Sequence, residues 1–236
     1  HSTWPVDTLT TIASGTEQVL RASLQCPNLK MLLNLSSGLV YGSQPDNVPR
    51  VAENYSGAPA LNNINTIYAH AKRFGETLCT AYRTQERLPT MTVRPFSFIG
   101  PFQSLDSPWA ITNFIRDALN GRDVRVLGDG KAIRSYMYPS DMTLWLLVMM
   151  VSSEAGVCYN LGSPEEITLG DLAKRIVEYT SPSSRVLLSM GDTNNNKFSR
   201  LVPDVNLAVE RLNLLQAVTL NQAIAKTIEW YGPCPT

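Results

Sequence analysis

Two short apolar runs, KMLLNLSS (30–37) and TMTVRPFSF (90–98), enclose a loop and one helical pattern. Each run is nearly continuous in its apolar residues, the mark of a strand covered on both faces. A strand, a helical crossover and a second strand form a parallel unit, which commits the chain to a doubly wound α/β sheet. Ligands of such sheets bind outside the carboxyl ends of the strands. Ser36 and Ser37 stand at one of those ends, and Ser97 lies near the other.

The remaining elements follow from periodicity and punctuation. Apolar residues at Leu9, Ile12, Val19, Leu20 and Leu24 predict a helix over 7–25, ending before Pro27. GLVYG leads into a Pro-, Asn- and Gly-rich loop to about residue 62. PWAITNFIRDALNG reads as a helix closed by Gly121, and VRVLG as a short strand before the turn DGK. Asp141 is expected to cap a helix through Val151, VCYNLG to form a strand, and Thr168 with Asp171 to cap a helix reaching Tyr179. Thr219 opens the last helix, with Leu220, Ala223, Ile224 and Ile228 on one face.

Composition narrows the class of function. Residues are 44% hydrophobic and 17% charged, with no charge block, so the chain reads as globular rather than disordered. Twenty basic residues balance twenty acidic ones, which leaves no net field to recruit nucleic acid or an anionic membrane. The longest apolar run, LWLLVMMV, falls far short of the ~20 residues a spanning helix needs. Cys26, Cys79, Cys158 and Cys234 are scattered without zinc or dithiol spacing, so no metal is expected and a reducing, cytoplasmic location is. The glycosylation triplets at Asn34 and Asn54 are read as coincidences.

The helix between the two strands sets Tyr68 and Lys72 four residues apart, on one face, where a phenol and an ammonium can serve one site. Taken alone, Tyr68 reads more readily as a half-buried aromatic, and Ser37 as a hydroxyl satisfying a strand end. The surroundings decide.

SSGLVYG followed by the Tyr68–Lys72 helix resembles the extended short-chain dehydrogenase/reductase family, the NAD-dependent nucleotide-sugar epimerases and dehydratases. VRPFSFIGP, VLGDGKAIRSYMYPSDM, YNLGSPEEITLGDLA and SRLVPDVNLAVERLNL extend the resemblance over nearly the whole chain. It implies a Rossmann-type sheet with a smaller substrate lobe: residues 1–103, with 134–160 returning to them, on the cofactor side, and 104–236 mainly on the substrate side. It implies NAD or NADP, with NAD favoured, a nucleotide-sugar substrate and a homodimer built on the Tyr–Lys helix.

By the same resemblance, Tyr68 is the acid/base, Lys72 holds the cofactor ribose and favours the phenolate, and Ser37 bonds the reacting oxygen. Pro95 and Ser97 face the cofactor, Ser97 also faces the substrate, and Arg134 and Arg200 hold its diphosphate.

The sequence departs from the family pattern in three places. It has no G-x-x-G-x-x-G turn for a pyrophosphate, and it opens at the helix preceding the fourth or fifth strand. An N-terminal portion of roughly 70–100 residues is therefore expected to be missing, leaving a sheet edge and an apolar face uncovered. Gly38 and Leu39 stand where dehydratases carry an acidic pair and decarboxylases a Glu, which disfavours elimination and favours 4-epimerisation or 4-keto reduction. Ser97 and Ile12 replace two family Asn residues, which leaves the substrate open. A truncated relative that binds nucleotide or a partner chain without turnover is the reading from another class.

Overall fold

In chain order the elements are α1 (Pro5–Ser23), β1 (Leu32–Leu35), α2 (Ile67–Glu86), β2 (Thr90–Pro95), β3 (Ser97–Phe98) and α3 (Ala110–Leu119). There follow β4 (Val124–Leu127), β5 (Ile133–Arg134), β6 (Tyr136–Met137), α4 (Pro139–Ser152), β7 (Cys158–Leu161), β8 (Ile167–Thr168) and α5 (Leu169–Thr180). The last are β9 (Val186–Ser189), β10 (Arg200–Leu201), α6 (Asn206–Leu212) and α7 (Leu220–Tyr231). This computed structural model describes residues 4–180, 184–189 and 200–232. Cys234 lies outside the described residues.

The expected parallel unit is present: β1 and β2 run parallel with α2 as their crossover, and β7 joins to give the order β1-β2-β7. Apolar side chains of β2 and β7 face Trp145 and Met149 of α4, together with Val205 and Ala208 from the α6 region. On the other face, α1 and α2 enclose Leu20, Cys79 and Leu88. A further core, with Phe114, Ile115, Val124, Leu172, Ile176 and Ile224, is built by α3, α5, α7 and β4. Smaller ladders complete the architecture: β10-β5-β8, β3-β6 and β4-β9.

Three expectations need correction. Strand β1 is only half-buried, with Leu35 46% exposed, where its apolar run predicted cover on both faces; the strand paired on both sides is β2. The TMTVRPFSF run is two strands, because Pro95 has no N–H to continue a ladder and the chain then changes partner from β7 to β6. Asp141 does not cap α4: Pro139 starts the helix after Tyr138, and the buried Asp141 carboxylate accepts the amides of Ala217 (3.1 Å) and Val218 (2.9 Å). The capping pair at Thr168 and Asp171 is present, and Thr219 with Gln222 forms a reciprocal capping box on α7. No helix among the described residues is long and apolar enough to cross a membrane.

Candidate active site

Strand β1 delivers Ser36 and Ser37 to the carboxyl edge of the sheet, and the chain turns there in a short helical loop, Gly38–Tyr41. The turn closes at Gly42, whose φ of +71° and approach to the Ala58 carbonyl leave no room for a side chain. The Ser37 hydroxyl accepts the Leu39 amide at 3.2 Å and hydrogen-bonds the Tyr68 phenol. A hydroxyl offers one donor and two acceptor positions, so Ser37 can bond Tyr68 while it accepts from Leu39.

Tyr68 and Lys72 lie in the first half of α2, facing the end of β1. The Lys72 ammonium donates to the Leu35 carbonyl at 2.7 Å and lies 5.8 Å from the centre of the Tyr68 ring. Burial raises the Tyr68 phenol above its usual range, while the bond from Ser37 pulls it back down. Burial lowers the Lys72 ammonium. The structure thus brings Ser37, Tyr68 and Lys72 together as a donor, a phenol and a neighbouring cation at the carboxyl end of a parallel strand.

The other predicted residues are dispersed around that point. Pro95 ends β2 opposite Leu161, and Ser97 opens β3 opposite Tyr136; both are half-buried. Arg134 ends β5, donates to the Ile133 carbonyl at 2.7 Å and is lowered by its burial. Arg200 begins β10 and is held by Glu166 at 2.5 Å and by the Pro49 carbonyl at 3.2 Å. Register pairs Arg200 with Ile133 and Leu201 with Arg134, so the two arginines stand on opposite faces of that ladder. A cavity of about 490 Å³ beside Glu166, Thr168, Asp171 and Arg175 contains none of the predicted residues.

Sequence reasoning missed the charged network beneath the site. Arg94, on β2, forms a two-pronged pair with Glu76 of α2, at 2.9 and 2.7 Å. Ser36 donates to the same Glu76 carboxylate. Arg94 also donates to the Tyr41 hydroxyl at 2.8 Å, and Tyr41 donates to Asn160 of β7 at 2.7 Å. Arg73 grips the carbonyls of Val40 and Gly57, each at 2.8 Å. Two signals pointed there: an arginine inside an otherwise apolar strand needs a buried partner, and Glu76 follows Lys72 by one further turn on the same face. No cluster of His, Cys, Asp and Glu among the described residues could hold a metal ion.

Comparison with known proteins bears on the family and the fold. Residues 1–162 match the family described as the NAD dependent epimerase/dehydratase family. The chain is 31% identical over 232 residues to a UDP-N-acetyl-alpha-D-glucosaminuronate decarboxylase of Bacillus cytotoxicus, covering 96% of this chain and 70% of that protein. It is 29% identical over 229 residues to UDP-glucuronic acid decarboxylase 1 of Arabidopsis thaliana, covering 95% of this chain and 50% of that one. The chain thus spans about half the length of the plant relative.

Among solved structures, UDP-glucose 4-epimerase of Thermotoga maritima with UDP-glucose superposes with a TM-score of 0.86 at 22% identity, over 96% of this chain and 71% of that chain. UDP-glucuronic acid 4-epimerase of Bacillus cereus, in complex with UDP-glucuronic acid and NAD, gives 0.82 at 21% identity, over 94% and 67%. These likenesses show the Rossmann-type fold. Together with the match over its first 162 residues, they make the chain a member of the NAD-dependent epimerase/dehydratase family.

Proposed function

We propose that this protein oxidises the C4 hydroxyl of a nucleotide sugar and returns it reduced on the opposite face, a 4-epimerisation with NAD as the favoured cofactor. The observation that carries the reading is the convergence of Ser37, Tyr68 and Lys72 at the carboxyl end of β1. Nicotinamide, when bound, accepts and returns the hydride. The residues present fit its ribose end: Lys72 is half-buried with its ammonium fixed at the strand end, close to the Tyr68 ring. The sequence carries no glycine-rich turn for the pyrophosphate.

In this reading Tyr68 removes the C4 hydroxyl proton, and Ser37 donates to the reacting oxygen and to the phenolate in turn. Lys72 sets the local field that favours the phenolate. Arg134 and Arg200 help to hold the diphosphate, Arg200 after exchanging Glu166 for a phosphate oxygen. Residues 1–103 with 134–160 form the cofactor side and 104–236 mainly the sugar side. A homodimer through α1 and α2 fits the exposed Val6, Leu9, Val19 and Phe74 on those helices. A reducing, cytoplasmic setting fits the free thiols of Cys26, Cys79 and Cys158.

Decarboxylation is the second reading, favoured by the names of relatives about 30% identical. A ketone at C4 of a uronic acid stands β to the carboxylate, which then leaves readily as carbon dioxide. Gly38 and Leu39 supply no carboxylate to assist it.

The test is to express the complete coding sequence, supply NAD and either UDP-glucose or UDP-glucuronic acid, and follow products by proton NMR. A C4 epimer without net cofactor reduction supports the first reading, and loss of carbon dioxide supports the second. With net cofactor consumption the activity is a 4-ketoreductase, and with tight binding but no product the protein is a binder. Tyr68→Phe is expected to lower turnover on the order of 10²–10⁴-fold with nucleotide-sugar affinity retained.

A further inference from the structure

The residues under the site form a connected set whose geometry converges on Ser37. Glu76 and Arg94 are both largely buried, and their fork is satisfied on every side the structure records. Ser36, 4% exposed, donates to Glu76, and its amide continues the β1–β2 ladder to the Val93 carbonyl at 2.8 Å. Ser36 is thereby fixed both through its backbone and through its side chain. The next residue is Ser37. On the far side of the turn, Arg94 holds Tyr41 and Arg73 holds Val40. Three positions of α2, Lys72, Arg73 and Glu76, therefore grip Leu35, Val40 and Ser36 on either side of the hydroxyl presented to Tyr68.

A buried ion pair is a costly way to fill a core, and apolar replacements are often as stable. Its conformational specificity is what an apolar pair would not supply. We propose that the Arg94–Glu76 pair, acting through Ser36, is a positioning device that holds the Ser37 hydroxyl in line with the Tyr68 phenol. Glu76, Arg94 and Ser36 are positioning residues, not catalytic ones. The inference rests on the triad reading above for its link to turnover, but its geometric content stands on its own.

The test is a double-mutant cycle on Ser36→Ala and Ser37→Ala, read by titrating the Tyr68 phenol with ¹³C-tyrosine NMR, the signal assigned by its loss in Tyr68→Phe. Lys72, the charged neighbour on the same helix, is unchanged in all four proteins. Ser36→Ala leaves the Arg94–Glu76 charges paired, so it spares the fold, whereas Glu76→Gln leaves a buried cation uncompensated. Ser36→Ala is expected to move the Tyr68 midpoint upward in the native background and not in the Ser37→Ala background. Ser36→Thr, which restores the hydroxyl, is expected to restore the midpoint.

In the enzyme made from the complete coding sequence, Ser36→Ala is expected to lower kcat about fivefold at unchanged KM. Equal shifts in both backgrounds, or no shift in either, overturn the positioning role. An active Tyr68→Phe enzyme with a normal phenol cycle instead overturns the catalytic reading and leaves the positioning intact.

Discussion

At the residue scale, the phenol of Tyr68 is governed by two opposed effects, burial that raises it and the Ser37 hydroxyl that lowers it. Removing the second alone has a definite sign. Ser37→Ala is expected to move the Tyr68 midpoint upward, and with it the rising limb of a pH–rate profile in the oxidative direction, which a profile from pH 6 to 10 measures. Tyr68, Lys72 and Ser37 were legible in the sequence because their spacing is local: four residues on one helix, and a strand end next to a tight turn. Glu76 and Arg94 were not read. Their partnership joins residues 18 apart on a helix and the following strand, and only the packing of α2, antiparallel to β2, brings them within bonding distance. The two arginines expected at a diphosphate show a different limit, since strand register sets them on opposite faces of a ladder that the sequence does not reveal.

Elements were easiest to read where the ends are punctuated. The reciprocal cap on α7 was visible as Thr219, and Thr219→Ala is expected to lower stability by about 1 kcal/mol, measured by urea unfolding. At Gly42, alanine meets a positive φ and a carbonyl in the path of its methyl group, so Gly42→Ala is expected to cost more than about 1 kcal/mol in the same assay. Asp141 misled because an acidic residue near a helix start is the usual cap, yet Pro139 had already set the first turn. Its carboxylate instead fastens the loop before α7, through two amides 76 and 77 residues away. Similarly, an apolar run does not show how deeply its strand is covered. The KMLLNLSS run is as apolar as TMTVRP, yet β1 is half-buried where β2 is mostly buried.

For the whole molecule, alkaline stability follows from the buried phenols. Burial pushes Tyr136 up to about 12 and Tyr41 higher still, against about 10 when unfolded. Both are neutral in either state at neutral pH, and above pH 10 the unfolded chain loses their protons first. Stability is therefore expected to hold from neutrality to about pH 10 and to fall as pH rises toward 12, which urea midpoints across that range measure. The same network gives a second expectation: Arg94→Met should cost about 3–5 kcal/mol by stranding Glu76, and Arg94→Met with Glu76→Leu should recover much of it. Because Ser36 follows the end of β1 while Arg94 lies in β2 and Asn160 in β7, their linked bonds tie the carboxyl ends of β1, β2 and β7 into a single mechanical unit. None of those ends can fray by itself. The amides of Ser36, Phe96 and Asn160, bonded to Val93, Leu161 and Glu53, should then exchange with solvent deuterium at one common opening free energy, as a cooperative unit and not as three loose termini.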